Sequence, residues 1–78
     1  MPRLNFELNR DYVELNLLLK LSGLCDSGGA GKRLVADGAV KVDGVTESRK
    51  TCKVRAGQVV LLGDTEIHVR ADSGNNAD

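Results

Sequence analysis

The sequence predicts an α+β domain: two short helices near the N-terminus, then a small antiparallel β-sheet. Three observations carry this. Apolar residues recur at helical spacing up to Val35, the period changes to two from Val40 onward, and Gly-Asp or Asp-Gly pairs punctuate the second half. With 78 residues the chain makes one domain. One Phe, one Tyr and no Trp leave Leu and Val to build a thin aliphatic core. Such a core houses a buried catalytic cleft poorly and presents a gripping surface easily.

Leu4, Phe6 and Leu8 alternate with polar neighbours, so residues 1–10 are expected to form an extended N-terminal segment ahead of a domain spanning 11–71. Asp11 followed by Glu14 has the form of a capping box and is expected to open a first helix of about three turns. Leu15, Leu18 and Leu19 fall on one face of it, and Gly23 stands where a left-handed C-cap belongs. Asp26 or Ser27 can cap a second helix, which carries Ala30, Leu34 and Val35 and runs to Asp37, with Gly38 as the closing residue. Its first turn is unusual, because Gly28, Gly29 and Gly31 each cost about 1 kcal/mol relative to Ala in a helix.

Val40 and Val42 alternate with Ala39 and Lys41, and Asp43-Gly44 signals a hairpin returning through Val45 and Thr46. Val59–Leu62 form a further apolar strand. Gly63-Asp64 turns it into Thr65–Val69, where Thr65, Ile67 and Val69 share a face. The stretch 72–78 is polar and aperiodic and is expected to be a disordered tail.

The net charge is zero, yet the charge is unevenly placed. Residues 1–31 balance to −1, residues 32–55 to +4 and residues 56–78 to −3. A neutral but polarised chain can offer a positive face to a polyanion. The cations of the middle segment are Lys32, Arg33, Lys41, Arg49, Lys50, Lys53 and Arg55. If Glu47–Arg55 is extended, Arg49, Lys53 and Arg55 share one face and can follow a phosphate backbone, and Lys41 on a neighbouring strand could lengthen that row. With almost no aromatics there is no platform for stacking unpaired bases, which favours binding by charge and shape.

Other chemistries find no residues. Gly31-Lys32 superficially suggests a phosphate-binding P-loop, but Asp26 and Arg33 occupy the positions that require Gly and Ser or Thr. A weaker version survives: the amides of a glycine-opened helix start can hold an anion, with Lys32 and Arg33 one turn onward. Close packing of the second helix on the first explains the glycines equally well. His68 has no nucleophile to partner it, and Cys25 and Cys52 read as reduced, partly buried thiols rather than ligands, so neither a metal nor another cofactor is expected. No apolar run reaches the ~20 residues of a membrane span, and no signal-peptide layout is present, so a cytoplasmic protein is expected.

The stretch Glu14–Leu61 resembles the αL RNA-binding motif, the module of the S-four protein of the small ribosomal subunit. The family pattern has a leucine-rich helix ending in Gly-Leu, a Ser opening a second helix, then Leu-Ile-x-x-Gly-x-Val-x-Val-Asn-Gly. This chain has Gly23-Leu24, Ser27, and Leu34-Val35-Ala36-Asp37-Gly38-Ala39-Val40-Lys41-Val42-Asp43-Gly44. A later Val-x-x-Gly-Asp-x-Ile segment is matched by Val54-Arg55-Ala56-Gly57-Gln58-Val59-Val60. The layout is similar to the stand-alone, YbcJ-like members, which carry no catalytic domain.

The resemblance implies a non-enzymatic, translation-associated protein that binds structured RNA, ribosomal or tRNA-like, as a monomer. Carried over, the contacts are Ser27, Lys32, Arg33 and Lys41. Charge and strand geometry add Arg49, Lys50, Lys53 and Arg55, and the helix-start reading adds Gly28 and Gly29. The chain departs from the family at Glu14, where Arg is usual, at Asn16, where an acid is usual, and at Gly28, where Arg usually follows the Ser. A docking role on a ribosomal or other translation-associated protein is the alternative.

Overall fold

The computed structural model describes residues 2–71. The disorder expected for 72–78 lies outside them. The elements are β1 (Arg3–Leu8), β2 (Val13–Glu14), α1 (Leu15–Leu21), α2 (Gly28–Ala36), β3 (Val40–Val42), β4 (Val45–Thr46), β5 (Lys53–Val54), β6 (Val59–Leu62) and β7 (Thr65–Ala71). The α+β class is as the periodicity predicts, and two features refine it. A five-stranded sheet runs in the order β1-β7-β6-β3-β4 with β1 parallel to β7, and β2 pairs antiparallel with β5 in a separate ribbon. The extended N-terminal segment is thus an edge strand of the main sheet.

The sheet is apolar on one side. Val40, Val42, Val60, Ile67 and Val69 are buried on that face and meet Leu15, Leu18 and Leu19 of α1 and Val35 of α2 in a single core. Alternation decides what faces away: Lys41 is exposed between buried Val40 and Val42, and His68 lies between Ile67 and Val69, bonded through Nε2 to Glu66 Oε1 at 2.9 Å. Asp43 (φ 53°) and Gly44 (φ 85°) supply the two left-handed residues of the expected hairpin turn. Asp43 also ties that turn to β6. Its Oδ1 accepts from Val59 N at 2.9 Å and its Oδ2 from Gln58 Nε2 at 3.1 Å.

The start of α1 differs from expectation. Asp11 and Glu14 form no capping box: Val13 and Glu14 are strand β2, and Glu14 makes no side-chain cap. The first amides of α1 instead donate to a distant loop, Leu15 N to Cys52 O at 2.9 Å and Asn16 N to Lys50 O at 3.2 Å. Carbonyls brought in by the fold replace a local cap, and pairing with β5 leaves α1 at seven residues, two turns rather than three. Both helices close as Schellman motifs, with Leu24 N on Leu19 O and Ala39 N on Leu34 O.

Candidate nucleic-acid interface

Ser27 caps α2: its Oγ accepts from Ala30 N at 3.1 Å and its carbonyl from Gly31 N at 3.0 Å. Asp26, the other capping candidate, does not serve. The N–H groups of Gly28 and Gly29 have no partner among the described residues, so two amide donors stand open at the positive end of the helix. Lys32 and Arg33 follow one turn on, both exposed. Arg33 lines a shallow groove with Leu24, Asp26, Leu34 and Asp37.

The two readings of the glycines divide by position. A Cβ on Gly31 would lie 2.4 Å from the backbone oxygen of Asn16, so close packing of α2 on α1 demands glycine there. A Cβ on Gly28 would meet only ordinary neighbours, Asn16 Nδ2 at 3.4 Å and Leu17 Cδ2 at 3.5 Å. At Gly29 the nearest atom is Ser27 Oγ at 3.8 Å, so packing gives no reason for that glycine.

Asn16 joins this helix start to the basic loop. It is 4% exposed, its N–H donates to Lys50 O, its side-chain Nδ2 reaches Gly28 O at 3.4 Å, and its own carbonyl lies under Gly31. Its Oδ1 is buried with no partner among the described residues. One residue therefore holds the backbone of Lys50, through its own N–H, and the first turn of α2, through its side chain, against each other, although they are far apart in sequence.

The basic segment itself departs from the extended row expected of it. Only Lys53–Val54 is strand, because β5 pairs with β2 for two residues and the preceding stretch turns to cap α1. Arg49 is engaged by Glu47 through a forked pair, Nε to Oε2 at 2.9 Å and Nη2 to Oε1 at 3.2 Å. That pairing holds the Glu47 carboxyl down at about 2, and it neutralises one of the four cations between Arg49 and Arg55. Burial pushes the Cys52 thiol up, which fits a passive thiol. Cys25 and Cys52 are both free and partly buried.

Lys53 and Arg55 converge on Tyr12, their charged ends 5.0 and 5.8 Å from the ring centroid. Arg55 Nη1 also lies 3.5 Å from the Asp11 carbonyl. Sequence reasoning missed Tyr12, whose only local signal was its being the sole tyrosine; the β2–β5 pairing brings it to the cations. The same pairing sets Glu14 across from Lys53, so the position where the family usually has a cation here carries an acid beside one. Lys41 belongs to neither group. Its strand neighbours are β4 and β6, and it leaves the sheet on the face away from the helices, so it does not lengthen the Arg49–Arg55 row.

Of the candidate residues, Gly28 and Lys50 are brought together through Asn16, with Ser27 and Gly29 beside Gly28 in the chain. Lys53 and Arg55 converge on Tyr12, Lys32 and Arg33 follow along α2, Arg49 is held by Glu47, and Lys41 lies on the other face of the sheet. Among the described residues no group of His, Cys, Asp or Glu could hold a metal ion, and no helix is long and apolar enough to cross a membrane.

Comparison with known proteins places the fold and the family. The solution structure of YbcJ from Escherichia coli, described as revealing an αL motif involved in RNA binding, superposes with a TM-score of 0.68 at 46% identity, covering 86% of each chain. In sequence, YbcJ of E. coli (strain K12) is 48% identical over 60 residues, 77% of this chain and 86% of that protein. The tyrosine–tRNA ligase of Moorella thermoacetica is 40% identical over 65 residues, 81% of this chain but only 15% of the ligase. The model of the S4 domain matches residues 6–70, and the chain belongs to the S4 domain family.

Proposed function

We propose that this protein binds structured RNA, ribosomal or tRNA-like, without catalysing a reaction, and that it does so in the cytoplasm in association with translation. The observation that carries the reading is the juxtaposition around Asn16, where two open amides at Gly28 and Gly29 adjoin the loop that carries Lys50 and leads to Lys53 and Arg55. Helix-start amides and lysine or arginine side chains both favour phosphate oxygens. Lys32 and Arg33 widen the same surface. The kinship with a protein described as having an RNA-binding αL motif supports the reading independently. Arg49, held by Glu47, and Lys41, on the other face of the sheet, contribute less.

Phosphate neutralisation has a measurable signature. Four to six contacts give a log–log slope of affinity against salt of roughly −3 to −5. Purified protein is expected to carry RNase-sensitive absorbance, and titration of the stripped chain against folded RNA should give that slope. Replacing Lys50, Lys53 and Arg55 together by Ala should weaken binding and flatten the slope by about 2–3 units. Unchanged binding by the triple variant would refute the basic face. Absence of RNA together with retention on ribosomal proteins would point instead to a docking role.

A further inference from the structure

The five-stranded sheet ends in two unlike edges. The β4 edge is only Val45–Thr46, short enough to attract no partner. The β1 edge, Arg3–Leu8, is three times as long and carries no proline or bulge within it. In the parallel ladder with β7, Glu66 N donates to Pro2 O at 3.0 Å. This fixes the parity of the strand: the backbone groups of Leu4 and Phe6 turn toward β7, while the N–H and C=O of Arg3, Asn5 and Glu7 point away from the sheet. Among the described residues nothing pairs with them. Protein edges of this kind are ordinarily blunted or covered.

We propose that β1 is a self-association edge, through which two copies of this chain pair antiparallel about Asn5. The outward backbone groups are those of odd-numbered residues, so a twofold at Asn5 sets Arg3 opposite the partner copy's Glu7, Asn5 opposite Asn5, and Glu7 opposite Arg3. Each of these is a hydrogen-bonded position, about six bonds in all. The side chains agree with this register. Arg3 and Glu7 form two opposite-charge cross-strand pairs on the solvent face, and Leu4 meets Phe6 on the core face, both half-buried in the single chain. A slip of two residues in either direction keeps the hydrogen-bonding parity but sets a charged residue against Asn5. The self-complementarity therefore belongs to one register.

The strand also borders open apolar surface. Phe6 and Leu8 line a groove of about 370 Å³ with Val13, Leu17 and Leu21, and Leu17 and Leu21 are 39% and 62% exposed. Arg3 already lies 3.8 Å from Glu66 of its own chain, with its side chain still 66% exposed, which leaves it free to bridge to a second carboxylate. A contact of one strand is small, so the association belongs to the weak, concentration-dependent class and the expected monomer is its dilute form. The inference is independent of RNA binding.

Sedimentation equilibrium of the full chain from about 10 μM to 1 mM, free of RNA, tests it. The weight-average mass should rise toward twice the monomer value. Arg3→Glu and Glu7→Arg should each hold the chain monomeric over that range, by setting like charges opposite each other, and the double swap should restore association. Asn5→Pro removes an outward N–H without touching the ladder to β7, a placement proline tolerates at an edge, and it should abolish the dimer while leaving the circular dichroism spectrum unchanged. Should Asn5→Pro not fold, the charge-swap series decides alone. A monomer at every concentration, or a dimer indifferent to the single charge reversals, overturns the proposal.

Discussion

Three glycines in one turn of α2 allow the same chemical change to be made at sites that differ only in space. At Gly31 the added Cβ would sit 2.4 Å from Asn16 O, whereas ordinary contact begins near 3.4 Å, so about 1 Å must be found. The obstacle is backbone, and that backbone is pinned by the Asn16 N–Lys50 O bond at 3.2 Å. Overpacking of this kind costs about 1–3 kcal/mol, toward the upper end when the neighbour cannot yield. The gain in helix propensity, about 1 kcal/mol, offsets part of it. Gly31→Ala should therefore be destabilising by about 2 kcal/mol, lowering the urea midpoint by about 2 M for a domain with a slope near 1 kcal/mol/M. Gly29→Ala meets open space and should be stabilising by about 0.5–1 kcal/mol, with Gly28→Ala between them. Urea titrations followed by circular dichroism at constant slope are the assay. A Gly31→Ala chain as stable as the parent would refute the close-approach reasoning. The same variants serve a second purpose: if phosphate approaches the open amides, Gly29→Ala should bind RNA several-fold more weakly despite its greater stability.

Two further outcomes follow from the polar network. Glu47→Gln should release Arg49 from its forked pair, and RNA titrations should then show tighter binding at low salt and a slope steeper by up to about one unit; an unchanged slope would mean that Arg49 lies outside the contact surface. Asp43→Ala should cost about 2 kcal/mol, because Ala replaces a residue at φ 53° and the acceptor for Val59 N and Gln58 is lost. Those two donors lower the Asp43 pKa, Val59 N first. A depressed carboxylate contributes its full stability above the unfolded value of 3.8 and loses it as pH falls through the folded one. Thermal melts should therefore decline for the parent below about pH 4, and Asp43→Asn, which keeps the turn but not the charge, should flatten that decline.

What the sequence settles by itself is what short-range physics decides. Helix ends at Gly23 and Gly38, the hairpin at Asp43-Gly44 and the inward faces of β3 and β7 follow from backbone conformation and the period of apolar residues, each legible within a few positions. Ser27 as a cap is local in the same way, and the family spacing around Gly38–Gly44 could be read without coordinates. The capping box at Asp11 and Glu14 failed because a local signal competed with long-range partners: carbonyls at Lys50 and Cys52 took the amides of α1, and β5 took Val13 and Glu14 into a ribbon.

The interface shows the same division. Charge counting found Lys32, Arg33 and the Arg49–Arg55 cations, but whether a cation is free depends on its neighbours in space. Only the fold paired Arg49 with Glu47, brought Tyr12 under Lys53 and Arg55, and turned Lys41 to the opposite face of the sheet. The glycines make the point most sharply. Their cost in a helix is a local property and could be read from composition, while what each offsets it with depends on the distance to Asn16, a residue of another helix. Conformational preference is written residue by residue along the chain; proximity between residues distant in sequence is set by the packing of the whole core, and it is proximity that decides which amides and cations stand open to a ligand.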